Sequence, residues 1–163
     1  MATDPRAHLI DILKDFEESM LVTHADAGRL EGRPMSIAEV SDGGVLWYCA
    51  AVDSGKAAQI SANPEVVVIM QGKTKFVSLS GRAWMSRDRE QIHRLWQESW
   101  KLWFPEGKDD PSLCLIAVQP SDAQWWDNSG ARGLRFAFEA AKAYVTGQEA
   151  HMPEGDSNAR VKL

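Results

Sequence analysis

The sequence predicts a mainly β protein, an antiparallel barrel with flanking helices. Six or more short apolar runs are each stopped by clusters of Gly, Pro, Asn, Asp or Ser. Only three segments carry helical periodicity, and they do not alternate with the strands as a parallel sheet requires. At 163 residues the chain has the length of one domain, enough to bury a core without disulfide or metal staples. We divide that domain into an N-terminal helix (1–19), a barrel with inserted helices (20–127), and a C-terminal helix with a polar tail (128–163).

The elements follow from local chemistry. Asp4 is a helix cap and Pro5 suits a first helical position, with Leu9, Ile10, Leu13 and Phe16 expected on the buried face. Residues 20–24 form a short apolar run that ends in Ala25-Asp26-Ala27-Gly28. Residues 34–40 follow, stop at Ser41-Asp42-Gly43-Gly44, and give way to a strand over 45–50. Ser54 caps a helix that runs through Ala57, Ala58 and Ile60 to a stop at Asn63-Pro64. The Val-Val-Val-Ile-Met run within 65–71 is expected to be buried on both faces, and a long strand over 74–85 follows it. A second helix from about Ser86 carries Ile92, Leu95, Trp96 and Trp100, the two tryptophans four apart on one face. Two closing strands, 113–118 and 123–127, are separated by Gln119-Pro120. A third helix spans about 134–145, and the stretch after Gly147 is expected to be a loose or partner-embracing tail.

Composition excludes several functions. The net charge of −5 argues against a general nucleic-acid binder. No secretory signal and no apolar stretch near eighteen residues is present, so we expect a cytoplasmic protein without membrane contact. Cys49 and Cys114 lie in apolar strands and read as small buried hydrophobes. The four histidines are scattered, no metal-ligand spacing occurs, and no Ser/His/Asp or Cys/His arrangement supports hydrolysis. Asp109-Asp110 before Pro111 reads as turn chemistry. Seven tryptophans are many for this length; such rings fill cores, and clustered they offer a flat surface to a planar ligand.

The stretch richest in chemistry is Ser54-Gly55-Lys56. A helix N-terminus presents unpaired N–H groups and the positive end of its dipole, a natural anion site. A hydroxyl at the cap, an ammonium two residues on and Arg33 from a neighbouring strand would complete a phosphate cradle. The plainer alternative is that Ser54 is only a cap, Lys56 a solvated lysine and Arg33 a surface arginine at a turn.

A series of landmarks in order weighs on that choice. It runs Met20-Leu21-Val22-Thr23, Gly32-Arg33-Pro34-Met35, Leu46-Trp47-Tyr48, Ser54-x-Lys56 and Asn63-Pro64-x-Val66. It continues through Val77-Ser78-Leu79-Ser80-Gly81-Arg82-Ala83, Asp88-Arg89, Trp103-Phe104-Pro105-x-Gly107, Asp109-Asp110-Pro111 and Trp126-Asp127. Over roughly residues 11–127 the chain resembles the FMN-binding split β-barrel superfamily related to pyridoxamine 5'-phosphate oxidase, in its general stress protein branch. The resemblance implies a six-stranded antiparallel split barrel and a homodimer holding FMN in two clefts between subunits. It implies that Arg33, Pro34, Met35 and Ser36 lie along the flavin, and that Cys49 and Ala50 bring backbone groups to the ribityl chain and phosphate. Ser54 and Lys56 would hold the phosphate. From the second subunit the region of Trp103 and Trp125-Trp126 would cover the cleft, with Trp126 the ring that reaches it. Trp47 reads as core.

Departures from the family pattern carry information too. Ala50 stands where a Thr is common, so one phosphate hydroxyl is missing, and Ala50→Thr is expected to tighten binding modestly. Gly55 stands where pyridoxamine phosphate oxidases have Arg. Their Arg-x-His signature is absent from Asn158-Ala159-Arg160-Val161-Lys162-Leu163. The resemblance therefore implies a flavin-dependent redox protein acting on some small substrate other than pyridoxamine phosphate. A non-catalytic flavin-binding or sensing protein, or a split barrel using another ligand, is the alternative.

Overall fold

The computed structural model describes residues 4–147 and 158–163. Helix α1 (Pro5–Lys14) begins where Asp4 accepts a hydrogen bond from the Arg6 N–H at 3.1 Å, with Pro5 in the first turn. Its buried residues are Leu9, Ile12 and Leu13, while Ile10 is only half-buried. The packed face is thus the 9, 12, 13, 16 stripe rather than one centred on Ile10, because i, i+3, i+4 and i+7 lie on one side of a helix.

Strands β1 (Glu18–His24), β2 (Leu30–Val40), β3 (Leu46–Ala51), β4 (Glu65–Gln71), β5 (Lys75–Ser86) and β6 (Leu113–Asp127) form a closed antiparallel barrel. The neighbour order is β3-β2-β1-β4-β5-β6, and β3 pairs with β6 to close it. Helix α2 (Gly55–Ala62) links β3 to β4, and α3 (Arg89–Leu95) follows β5. After β6 come α4 (Gly130–Thr146), ended by Gly147 at φ +63°, and β7 (Asn158–Lys162).

β6 unites what the sequence reads as two closing strands. Residues 113–118 pair with β3 and residues 122–126 with β7, while β5 runs beside both halves. The Gln119-Pro120 break is a bulge: the β5–β6 register shifts between Ser80 and Gly81, and Gly81 stands opposite Pro120. A Cβ on Gly81 would lie 2.3 Å from the Gln119 carbonyl oxygen, so only glycine fits.

The core lies in two layers. Leu21, Tyr48, Val68, Leu79 and Ile116 fill the barrel, where the Tyr48 hydroxyl is bonded to Ser19 Oγ at 2.9 Å. Outside the barrel, Ile92, Leu95, Trp100 and Phe104 pack on Leu113 and Leu115, so residues 113–118 are covered on both faces.

Other expectations change on the structure. β4 is not buried on both faces: Val66, Val68 and Met70 point inward, but Ile69 is 42% exposed. The second helix starts at Arg89 behind an Asp88 cap rather than near Ser86, and breaks at Trp96, whose ψ of 133° is extended. A 3₁₀ turn over Glu98–Leu102 then brings Trp100 edge-on to Trp96 with ring centroids 5.7 Å apart. Of the polar tail, 148–157 lie outside the described residues. The remainder is no loose end, because Ala159 and Val161 pack on the core and Arg160 pairs with Asp122 at 3.0 Å.

Gly81→Ala is expected to lower the unfolding free energy by about 2 kcal/mol, because the clash is with backbone that cannot rotate away. Urea denaturation measures it; an unchanged midpoint would show that the bulge relaxes freely.

Candidate functional site

The end of β3 leads directly into α2, and local geometry at this junction is well defined. Ser54 has extended backbone, its Oγ donates to the Ala51 carbonyl at 2.7 Å, and it accepts from the Ala57 N–H at 3.4 Å. Ser54 is therefore the N-cap that the sequence predicts. The cap leaves the Gly55 and Lys56 N–H groups without a backbone partner among the described residues. Lys56 is half-buried and makes no hydrogen bond or ion pair among the described residues. Its charge acts on both thiols, which places it beside the end of β3. Burial nonetheless pushes the Cys49 thiol up to about 12 and the Cys114 thiol up to about 11, so both stay protonated.

Arg33 is committed elsewhere than to Ser54. Its Nη1 donates to Thr23 Oγ1 at 2.6 Å and to the Leu21 carbonyl at 3.2 Å, and its Nη2 donates to Gln59 Oε1 at 2.9 Å. The fully buried Thr23 hydroxyl donates to the same Gln59 oxygen at 2.6 Å, and Gln59 Nε2 donates to Glu31 Oε2 at 2.7 Å. Glu31 stands 3.6 Å from the guanidinium. Partial burial pulls the Arg33 pKa below its ordinary value, and Glu31 opposes that shift. The fork thus ties α2 to β1 and β2, one turn along from Lys56. Gln59, the hub of this network, escapes sequence reasoning; its only signal is the i, i+3 spacing from Lys56.

Strand alternation sorts the remaining candidates. Pro34 and Ser36 are exposed on the outer face of β2, whereas Met35 points into the barrel. On β3, Cys49 faces outward beneath the α3 layer, and Ala50 faces inward at 3% exposure. Met35 and Ala50 therefore offer a ligand only backbone. Ala50→Thr would bury its hydroxyl in the core, so the tighter binding expected of that change does not follow. The β2–β3 register runs only from Ile37/Tyr48 to Val40/Leu46. Beyond it, residues 33–36 and 49–51 face a seam with no ladder across it among the described residues.

The paired tryptophans divide as alternation requires. Trp125 is buried and meets His8 edge-on at 5.9 Å, while Trp126 is half-exposed on the outer face opposite Phe76. Within one chain Trp126 belongs to the far half of β6, away from the half that pairs with Ala50. Trp47 is half-buried against the outer layer and edge-on to Trp84, a second-layer packing position rather than the barrel interior. Asp110 accepts from the Ser112 hydroxyl at 2.6 Å and its N–H at 2.9 Å, which holds its carboxyl below the usual range; this is turn chemistry. No group of three or more His, Cys, Asp or Glu side chains able to hold a metal occurs among the described residues. Nor is any described helix long and apolar enough to cross a membrane.

Residues 4–151 match the family model described as pyridoxamine 5'-phosphate oxidase like. General stress protein 26 of Bacillus subtilis is 25% identical over 124 residues, covering 73% of this chain and 86% of its own. The crystal structure of a protein assigned as general stress protein 26 from Jannaschia sp. CCS1 superposes with a TM-score of 0.72 at 28% identity, over 94% of this chain and 95% of the other. A general stress FMN/FAD binding protein from Xanthomonas citri superposes with a TM-score of 0.65 at 26% identity, over 77% of this chain and 90% of the other.

The Arg33 network makes a stability claim. Gln59→Leu removes the acceptor of both the buried Thr23 hydroxyl and one guanidinium nitrogen, and is expected to cost about 2 kcal/mol. A urea midpoint equal to that of the unmodified protein would show that the network does not hold α2 in place.

Proposed function

The chain belongs to the pyridoxamine 5'-phosphate oxidase-like family, and we propose that it is an FMN-binding homodimer that works as a redox protein on a small substrate. The observation that carries this reading is Lys56: a half-buried ammonium without a partner among the described residues, at the N-terminus of α2 and beside an unladdered strand edge. A phosphate there meets a charge, the Gly55 and Lys56 N–H groups and the helix dipole. The backbone of 33–36 and 49–51, open along the seam, is free to bond a ribityl chain and the ring edge. FMN supplies the electron transfer when bound; the chain's own residues bind it, orient it and shield it. Arg33 acts as a positioning residue that fixes α2 through Gln59, not as a direct phosphate ligand.

The sheet's outer face supports the dimer. Pro34, Met20 and Ile69 stand in one row and Gly32, Val22 and Val67 in the next, with Phe76 and Trp126 beyond. Met20 and Ile69 are 40% and 42% exposed. A second copy packed here buries the other face of β4, which is the double burial its Val-Val-Val-Ile-Met run implies. In that dimer Trp126 and the Trp103 region of one copy are assigned to the cleft of the other, as the family resemblance implies. Two free thiols suit a reducing cytoplasm. Arg160 is taken by Asp122, so it is not offered to a substrate phosphate, which argues against pyridoxamine phosphate.

FMN is expected to bind at least tenfold more tightly than riboflavin in a fluorescence titration, and Lys56→Ala to remove at least that factor, the worth of one charge-assisted contact. Equal affinity for the two flavins would overturn the phosphate assignment. Ile69→Glu is expected to shift the protein from dimer to monomer in sedimentation velocity. A dimer that survives it would place the interface elsewhere.

A further inference from the structure

α4 turns its apolar side to solvent. Leu134, Phe138, Tyr144 and Val145 are 78%, 68%, 92% and 83% exposed, and Ala137 and Ala141 are exposed with them. The less exposed side of the helix carries Glu139, Ala140 and Ala143. No strand or helix packs extensively on α4 among the described residues. A helix that served its own barrel would bury the apolar stripe and leave the polar side in water. α4 therefore offers outward the face that a helix normally buries.

The spacing of that stripe selects what fits it. Leu134, Phe138, Ala141 and Val145 stand 4, 3 and 4 residues apart, which is the alternation of a coiled-coil seam, and none of them is charged. The spacing reads the same in both directions. Two copies laid antiparallel about a two-fold axis thus keep every seam residue in register. In that register Phe138 meets the partner's Ala141 and Leu134 meets the partner's Val145, so a large side chain faces a small one in the inner layers. A parallel pair would instead set ring on ring at 138 and methyl on methyl at 141, one layer crowded and the next hollow.

The length of α4 points to which second copy this is. Its 17 residues make a helix about 25 Å long, and one such seam falls well short of the about 800 Å² that each partner of a stable pair buries. The stripe therefore completes a larger contact. The outer sheet face assigned above to the dimer is such a contact, and residues 127–129 are all that separate its Trp126 from the start of α4.

We propose that α4 pairs antiparallel with α4 of a second copy, across the two-fold axis of the dimer. The proposal rests on the dimer assigned above and adds an element to it. The test is the double variant Leu134→Cys/Val145→Cys, oxidised as the full chain with copper phenanthroline beside both single variants and the unmodified protein. Cys114 is buried and Cys49 is packed under the outer layer, so the introduced thiols on the exposed stripe are the reactive ones. At least half of the double variant is expected to run as a covalent dimer on a non-reducing gel. Each single variant should give less than a tenth of that, because equivalent end positions lie about 16 Å apart in an antiparallel pair. All four proteins should sediment as dimers before oxidation, which also reports that they fold. A dimer in which the double variant stays uncross-linked would overturn the helix pairing alone, and assign the stripe to another protein or a lipid surface. Cross-linking of a single variant to the level of the double would overturn the antiparallel register. A monomer in sedimentation velocity of the unmodified protein would overturn the dimer itself.

Discussion

The barrel depends on β6 serving two partners in succession along one edge. Its first half closes the barrel against β3 and its second half carries β7, while β5 accompanies both. A strand that changes partner must bend, and the bend sits where Gly81 lets the Gln119 carbonyl approach within a distance no side chain tolerates. With the closure in place, residues 113–118 are covered by the barrel interior on one side and by the Trp100 and Phe104 layer on the other. Their unbroken burial is a consequence of topology rather than of composition alone.

Closure on β6 also sets the position of the site. β3 is held by β6 along residues 46–51 but by β2 only along its first three, so the two strands that flank the seam are each paired on their far edges. The seam can stay open because neither strand needs the other there. α2 springs from the end of β3 and packs against β1 and β5, and the Arg33–Gln59–Thr23 network fixes it to β1 and β2. The guanidinium spends its fork on three protein acceptors, a geometry that makes it a strut. That division of labour leaves the ammonium of Lys56 as the cation at the helix end with no protein partner among the described residues.

The outer sheet face and α4 point the same way. Leu134, Phe138, Tyr144 and Val145 are 68–92% exposed on a helix that leaves β6 next to Trp126, itself part of the apolar outer face. Exposed apolar side chains in this number are what a protein surface avoids unless another surface meets them.

The sequence alone determined the elements whose signals are local. The Asp4-Pro5 start, the Ser54 cap and the Asn63-Pro64 stop came through because capping and proline chemistry act within a few residues. Strand alternation likewise required adjacent Trp125 and Trp126 to face opposite sides, while which of them is buried, Trp125, is settled by packing. Tertiary structure decided what depends on partners distant in the chain. Gln119-Pro120 looked like a strand end and is a bulge, because its meaning is set by Gly81 across the ladder. Ala50 looked like a lost phosphate hydroxyl, but its direction is set by the barrel interior. Arg33 and Lys56 are both cations in the sequence; only packing gave the first three protein acceptors and left the second with none among the described residues. The reason is common to all three: a side chain's chemistry is written in its residue type, but its availability depends on which groups the fold brings within hydrogen-bond reach.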